Sequence, residues 1–144
     1  MEFKDIHIGQ MIKAKVVEKD INITRICNFL KCNAQEMDQM YKSESLDTTI
    51  LLRWSKLLEY DFFRLYTQHL ILYAPQSNQS YGYGKTIQKS VLPQFRKNIY
   101  TKEIIDFILG EINSGAITRS QVIEKYKIPK STLYKWLNKY NSNT

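Results

Sequence analysis

Apolar residues fall at helical spacing in block after block of this chain. Ile8, Met11, Ile12 and Val16 mark a first amphipathic helix, with Lys13, Lys15 and Lys19 on its wet side. Asn22 or Thr24 caps the next, which turns Ile26, Cys27 and Leu30 inward. After a break at Lys31-Cys32-Asn33, Asn33 caps a short helix through Met37, Met40 and Tyr41. Asp47 caps a further helix with Ile50, Leu51, Trp54, Leu57 and Leu58 on its stripe. From Asp61 to Tyr73 apolar residues cover most of the circumference, so this helix is either buried in its own domain or shared with a second subunit.

Ala74-Pro75 closes this half. PQSNQSYGYGKT is polar, contains glycine and lacks aliphatic residues, so it reads as a linker. The stretch that follows, up to Tyr100, is basic through Lys89, Arg96 and Lys97, with Lys85 just before it. Leu92, Pro93 and Phe95 interleave with these cations, which suits either an arm along DNA or a strap on the second half. Thr101 caps a helix that buries Ile104, Ile105, Ile108 and Leu109, with Tyr100 placed to staple onto Ile105. Asn113-Ser114-Gly115 stops it, and Thr118 with Gln121 forms a capping box for the next. In the last helix Leu133, Trp136, Leu137 and Tyr140 share one stripe, while Ser131, Tyr134, Lys135 and Asn138 point the other way.

The two halves repeat one pattern. Ile26, Cys27, Leu30, Cys32, Met37 and Met40 recur 96 residues later as Val122, Ile123, Tyr126, Ile128, Leu133 and Trp136. The crossing of two short helices in a helix-turn-helix needs inward apolar residues at these points, including one after the turn. The expected fold is therefore all-α: two small helical bundles, each with a helix-turn-helix, joined by a polar linker. The expected bounds are residues 1–74, a linker and basic arm over 75–99, and residues 100–144.

Charge separates the halves. Residues 1–74 hold 10 Lys/Arg and 10 Asp/Glu, whereas residues 75–144 hold 11 and 4, so the whole net charge of +7 lies in the second half. Such asymmetry points to an anionic partner there, against the alternative of solvated surface charge. Cys27 and Cys32, five apart, match neither a zinc pair nor a redox Cys-x-x-C, and read as reduced thiols of a cytoplasmic protein. His7 and His69 read as surface or packing residues, so no metal, cofactor or nucleophile–base arrangement is expected and the chain is not read as an enzyme. No apolar run is long enough to span a bilayer, and the first residues lack the layout of a secretory signal.

Two family resemblances rest on these residues. Residues 8–63, above all ITRICNFLKCNAQEMDQMYKSESLDTTILLRWSKLLEYDFF, resemble phage-repressor/Cro-like (XRE-type) helix-turn-helix domains over about two fifths of the chain. Lys31 stands at the turn position that family often gives to glycine, and Cys27 at its small position in the first helix. Residues 100–140 resemble the helix-turn-helix that begins many insertion-sequence transposases, through Ser131, Thr132, Leu133, Tyr134 and Trp136, with Pro129 where a serine cap is usual. Both resemblances imply double-stranded DNA as partner.

The presumed recognition faces differ. Gln35, Gln39 and Lys42 occupy the first, where Gln can pair with adenine edges but the nearby Glu36 and Asp38 would be repelled by phosphates. The second offers Lys130, Ser131, Thr132, Tyr134, Lys135, Asn138 and Lys139, with Arg119 and Lys127 adding charge before it. The leading expectation is a sequence-specific transcriptional regulator with tandem DNA-binding domains. The alternatives are the DNA-binding component of an insertion-sequence transposase without its own catalytic domain, and a protein-interaction module with degenerate motifs. A homodimer through residues 61–73 is a further expectation.

Overall fold

The computed structural model describes residues 3–75, 91–93 and 100–140. These form eight α-helices and no strand, so the fold is all-α among the described residues. In order they are α1 (Ile8–Lys19), α2 (Ile23–Leu30), α3 (Ala34–Lys42), α4 (Thr48–Leu58), α5 (Phe63–Tyr73), α6 (Lys102–Asn113), α7 (Arg119–Tyr126) and α8 (Lys130–Tyr140). The chain separates into two compact units, residues 2–67 and 68–144, and the division falls inside α5. The expected linker at 76–90 and most of the basic arm, with Lys85, Lys89, Arg96 and Lys97, lie outside the described residues. No helix among the described residues is long and apolar enough to cross a membrane.

In the first unit α1 and α2 each pack against both α3 and α4. Ile8, Ile12, Ile26, Trp54 and Leu58 are wholly excluded from water at the centre of that packing. Each such side chain contributes on the order of 1.5–3 kcal/mol by burial. The helix starts follow local chemistry. Asn22 accepts from the Thr24 N–H and Asp47 from the Thr49 N–H, each at 2.8 Å. Asn33 and Glu36 cap reciprocally, at 2.8 and 2.9 Å. His7, expected as a surface or packing residue, in fact caps α1: its Nδ1 accepts from the Gln10 N–H at 3.2 Å.

α1 comes close to the end of α3. The N–H groups of Ile8 and Gly9 donate to the carbonyls of Glu44 and Ser43, both at 3.1 Å. Donors that a helix start leaves without an intrahelical partner are thereby satisfied by chain just past another helix. Gly9 makes this possible. A Cβ there would lie 2.3 Å from the Met40 carbonyl oxygen, 2.5 Å from that of Tyr41 and 2.7 Å from that of Ser43. On the other side, the Arg53 guanidinium of α4 donates to the Leu30 carbonyl at the end of α2, at 3.3 Å.

Of the apolar residues on 61–73, Phe62 and Leu65 are buried in the first unit's core, and Phe63 and Tyr66 pack against it. Phe62 and Leu65 are thus spent inside their own unit, whereas Phe63 and Tyr66 are half-buried and Leu70 is more than half exposed.

In the second unit α6 buries Ile104, Ile105, Ile108 and Leu109. Thr101 stands at its N-cap, but its hydroxyl makes no capping bond and is buried without a partner among the described residues. The expected side-chain cap is therefore absent there. Tyr100 sets its ring edge-on to Trp136, with centroids 5.0 Å apart, and so ties the start of α6 to α8. Gly115, just past α6, has φ +77°, the left-handed conformation that ends the helix.

Two glycines give opposite expectations. Gly9→Ala drives a methyl into three fixed carbonyl oxygens and is expected to lower the unfolding free energy by about 1–3 kcal/mol. Gly110→Ala, on α6 with nothing within 4 Å of the new Cβ, is expected to raise it by about 0.5–1 kcal/mol. Urea titration of the two variants against the native chain measures both.

Candidate nucleic-acid interface

The repeated pattern folds into two helical hairpins in one register. α2 and α7 are each 8 residues long, and their N-caps, Asn22 and Thr118, are 96 residues apart. Their C-caps, Lys31 and Lys127, share that offset and one conformation: φ 54° with ψ 49°, and φ 54° with ψ 33°. α3 and α8 begin at Ala34 and Lys130, again 96 apart. A 12-residue helix precedes each hairpin, α1 in one unit and α6 in the other.

Burial follows the same register. Ile26, Leu30 and Met37 are buried in the first hairpin, with Cys27, Cys32 and Met40 half-buried. Val122, Tyr126, Ile128, Leu133 and Trp136 are buried in the second, with Ile123 half-buried. The residues expected to face a partner are at the surface. Gln35, Gln39, Lys42, Arg119, Lys127, Lys130, Ser131, Tyr134, Lys135, Asn138 and Lys139 are exposed, and Thr132 is half-buried.

The electrostatics of the two outer faces diverge. On α3 the Lys42 ammonium lies 2.6 Å from the Asp38 carboxylate, one helical turn away. Its hydrogen bond and its charge hold the Asp38 carboxyl below the usual carboxylate range. Glu36 is engaged in the capping box. From Asn22 to Lys42 the hairpin carries three cations and two acids; from Thr118 to Tyr140 its counterpart carries six cations and Glu124 alone. None of those six cations is in an ion pair among the described residues.

Three side chains from the two helices of the second hairpin converge. Arg119 of α7 lies 5.8 Å from the centroid of the Tyr134 ring, and Lys130 of α8 lies 5.7 Å from it. Contacts of this kind at an exposed site stabilise by about 0.5–1 kcal/mol. The cluster holds two positive groups around an exposed phenol at the start of α8. Pro129 precedes that helix, and its carbonyl accepts from the Leu133 N–H at 3.1 Å. A proline has no side-chain acceptor, so α8 starts without the cap that Asn33 gives α3. Its first turn presents N–H groups and cations together, an arrangement that favours an anion.

The Asp38–Lys42 pair was readable from its i, i+4 spacing. The meeting of Arg119 with Tyr134 was not, since it depends on how α7 crosses α8. Among the described residues no group of three or more His, Cys, Asp or Glu is placed to hold a metal ion. No family model, no curated protein and no solved structure matches the chain.

Both hairpins put a lysine in the left-handed region, where an L side chain costs roughly 1–2 kcal/mol. Lys31→Gly removes that strain at the expense of a more flexible unfolded chain. A net gain of about 0.5–1 kcal/mol is expected, read as a higher melting temperature; a loss would mean that the Lys31 side chain contributes more than its conformation costs.

Proposed function

We propose that this chain binds double-stranded DNA in a sequence-specific manner through its two helix-turn-helix copies, and acts as a cytoplasmic transcriptional regulator. The observation that carries the reading is the second hairpin: a helix whose inner face is buried and whose outer face holds cations free of acids. α8 enters the major groove, as the second helix of such a hairpin does. Ser131, Tyr134, Lys135 and Asn138 face the base edges, and Arg119, Lys127, Lys130 and Lys139 meet phosphates. The first copy reads DNA through Gln35 and Gln39 and adds less affinity, because Asp38 already engages Lys42. Catalysis is no part of this proposal.

Neutralised phosphates set the salt dependence of affinity. With these four cations on phosphate, log K falls with log salt at a slope of about −3.6. Alanine at Arg119, Lys130 and Lys139 together is expected to make that slope shallower by about 2.7 units. Alanine at Gln35 and Gln39 leaves it in place. Binding selection from random DNA followed by salt titration of these variants is the direct test. Failure to bind any duplex at low salt, with a protein partner recovered instead, overturns the reading. Footprints at inverted terminal repeats rather than promoters would reassign the same binding to a transposition complex.

The acid on α3 gives a separate expectation. Asp38→Asn releases Lys42 and removes a charge that repels phosphate. It is expected to raise affinity and to steepen the salt slope by up to about 1 unit, measured by fluorescence anisotropy on the selected duplex.

A further inference from the structure

At one pair of matched positions the first hairpin carries thiols where the second carries aliphatic side chains. Ile123 and Ile128 bracket the turn of the second copy; Cys27 and Cys32 bracket the turn of the first. The backbone brings these two cysteines together. The N–H of Cys32 donates to the carbonyl of Cys27 at 3.1 Å, the bond that wraps the chain back over the end of α2 around the left-handed Lys31. In such a helix end the side chains at these two positions meet. One covalent bond from N to Cα, one N–H···O bond and the Cα-to-oxygen distance across a carbonyl together span at most about 7 Å, and they are not collinear. The two Cα atoms therefore fall in the range that a disulfide bridges, roughly 4.4–6.8 Å. Both thiols are free and half-buried, at the edge of the first unit's core.

We infer that Cys27 and Cys32 form a reversible dithiol–disulfide site, oxidised by a peroxide, which closes across the turn of the first copy only. The Cys27 thiolate attacks one peroxide oxygen and breaks the O–O bond; hydroxide leaves and takes up a proton as water, and Cys27 becomes a sulfenic acid. The Cys32 thiol gives up its proton as its sulfur attacks the Cys27 sulfur. The S–O bond breaks, the hydroxyl leaves as a second water, and the S–S bond forms. Two thiols are oxidised and one peroxide is reduced to two waters. Burial, then the neighbouring Cys27 and Glu36, push the Cys32 thiol up, which disfavours its thiolate. The second copy, with isoleucine at both places, is blind to this chemistry.

The site stands independently of what the hairpins bind. The test treats the reduced full-length chain with hydrogen peroxide and follows intact mass, thiol alkylation and non-reducing peptide maps. The expected product is a monomer lighter by two hydrogen atoms, with both thiols blocked together and both restored by dithiothreitol. Cys32→Ser is expected to hold Cys27 as a sulfenic acid that dimedone traps. Cys27→Ser is expected to make Cys32 react more slowly than Cys27 does in Cys32→Ser. Any of four results overturns the inference: no reaction, disulfide-linked dimers, over-oxidation of either cysteine without an internal bridge, or a bridge that appears only in urea.

Discussion

Everything about the two hairpins depends on a turn short enough to force one residue into the left-handed region. Lys31 and Lys127 take that conformation at the same place in each copy. The turn ends one helix, and within three residues the chain is ready to begin another at an angle to it. The apolar residue just after the turn, Cys32 or Ile128, is carried back against the helix it follows. With that residue anchored, the inner stripe of the second helix is committed to the core and its outer stripe to the solvent. The strain of a non-glycine residue at the turn is offset by burial on both sides of it.

Around this turn the two units use different supports. In the first, α1 is locked to the end of α3 by Gly9, where backbone meets backbone and nothing larger than hydrogen fits. Arg53 reaches from α4 to the last carbonyl of α2. In the second, an aromatic pair holds the start of α6 against α8. Both hairpins rest on apolar cores, and the first adds close backbone approach and an arginine hydrogen bond where the second adds an aromatic pair.

The difference in charge between the outer faces bears on the proposed division of labour. A lysine paired with a carboxylate must give up that partner before it meets phosphate, and the acid itself repels the backbone. A lysine with no acid nearby has no such competition. The pairing of Lys42 with Asp38, and the lack of an acid on α8, therefore separate the copies more sharply than lysine counts do. The shared scaffold and unequal faces are what a duplicated motif with one dominant copy would present.

Helix positions, most caps and the repeat were legible in the sequence, because each rests on local chemistry. Amphipathic spacing, an Asn or Asp before a helix and a Thr-x-x-Gln box act within a single turn of chain. So does the exposure of residues such as Lys135 and Asn138, which follows from the burial of Leu133 and Trp136 on the opposite side. What the sequence could not decide depended on distance in space. The need for glycine at position 9 arises only because α3 ends there; the burial of Phe62 and Leu65 arises from packing against α1 to α4. Thr101 stands at an N-cap without making the capping bond, and Tyr134 has Arg119 beside it, in addition to Lys130 one turn back on its own helix, because α7 crosses α8 there. Local free energies of about a kilocalorie per mole place the helices; which faces meet is decided by the much larger sum of apolar burial, and that sum exists only in the folded chain.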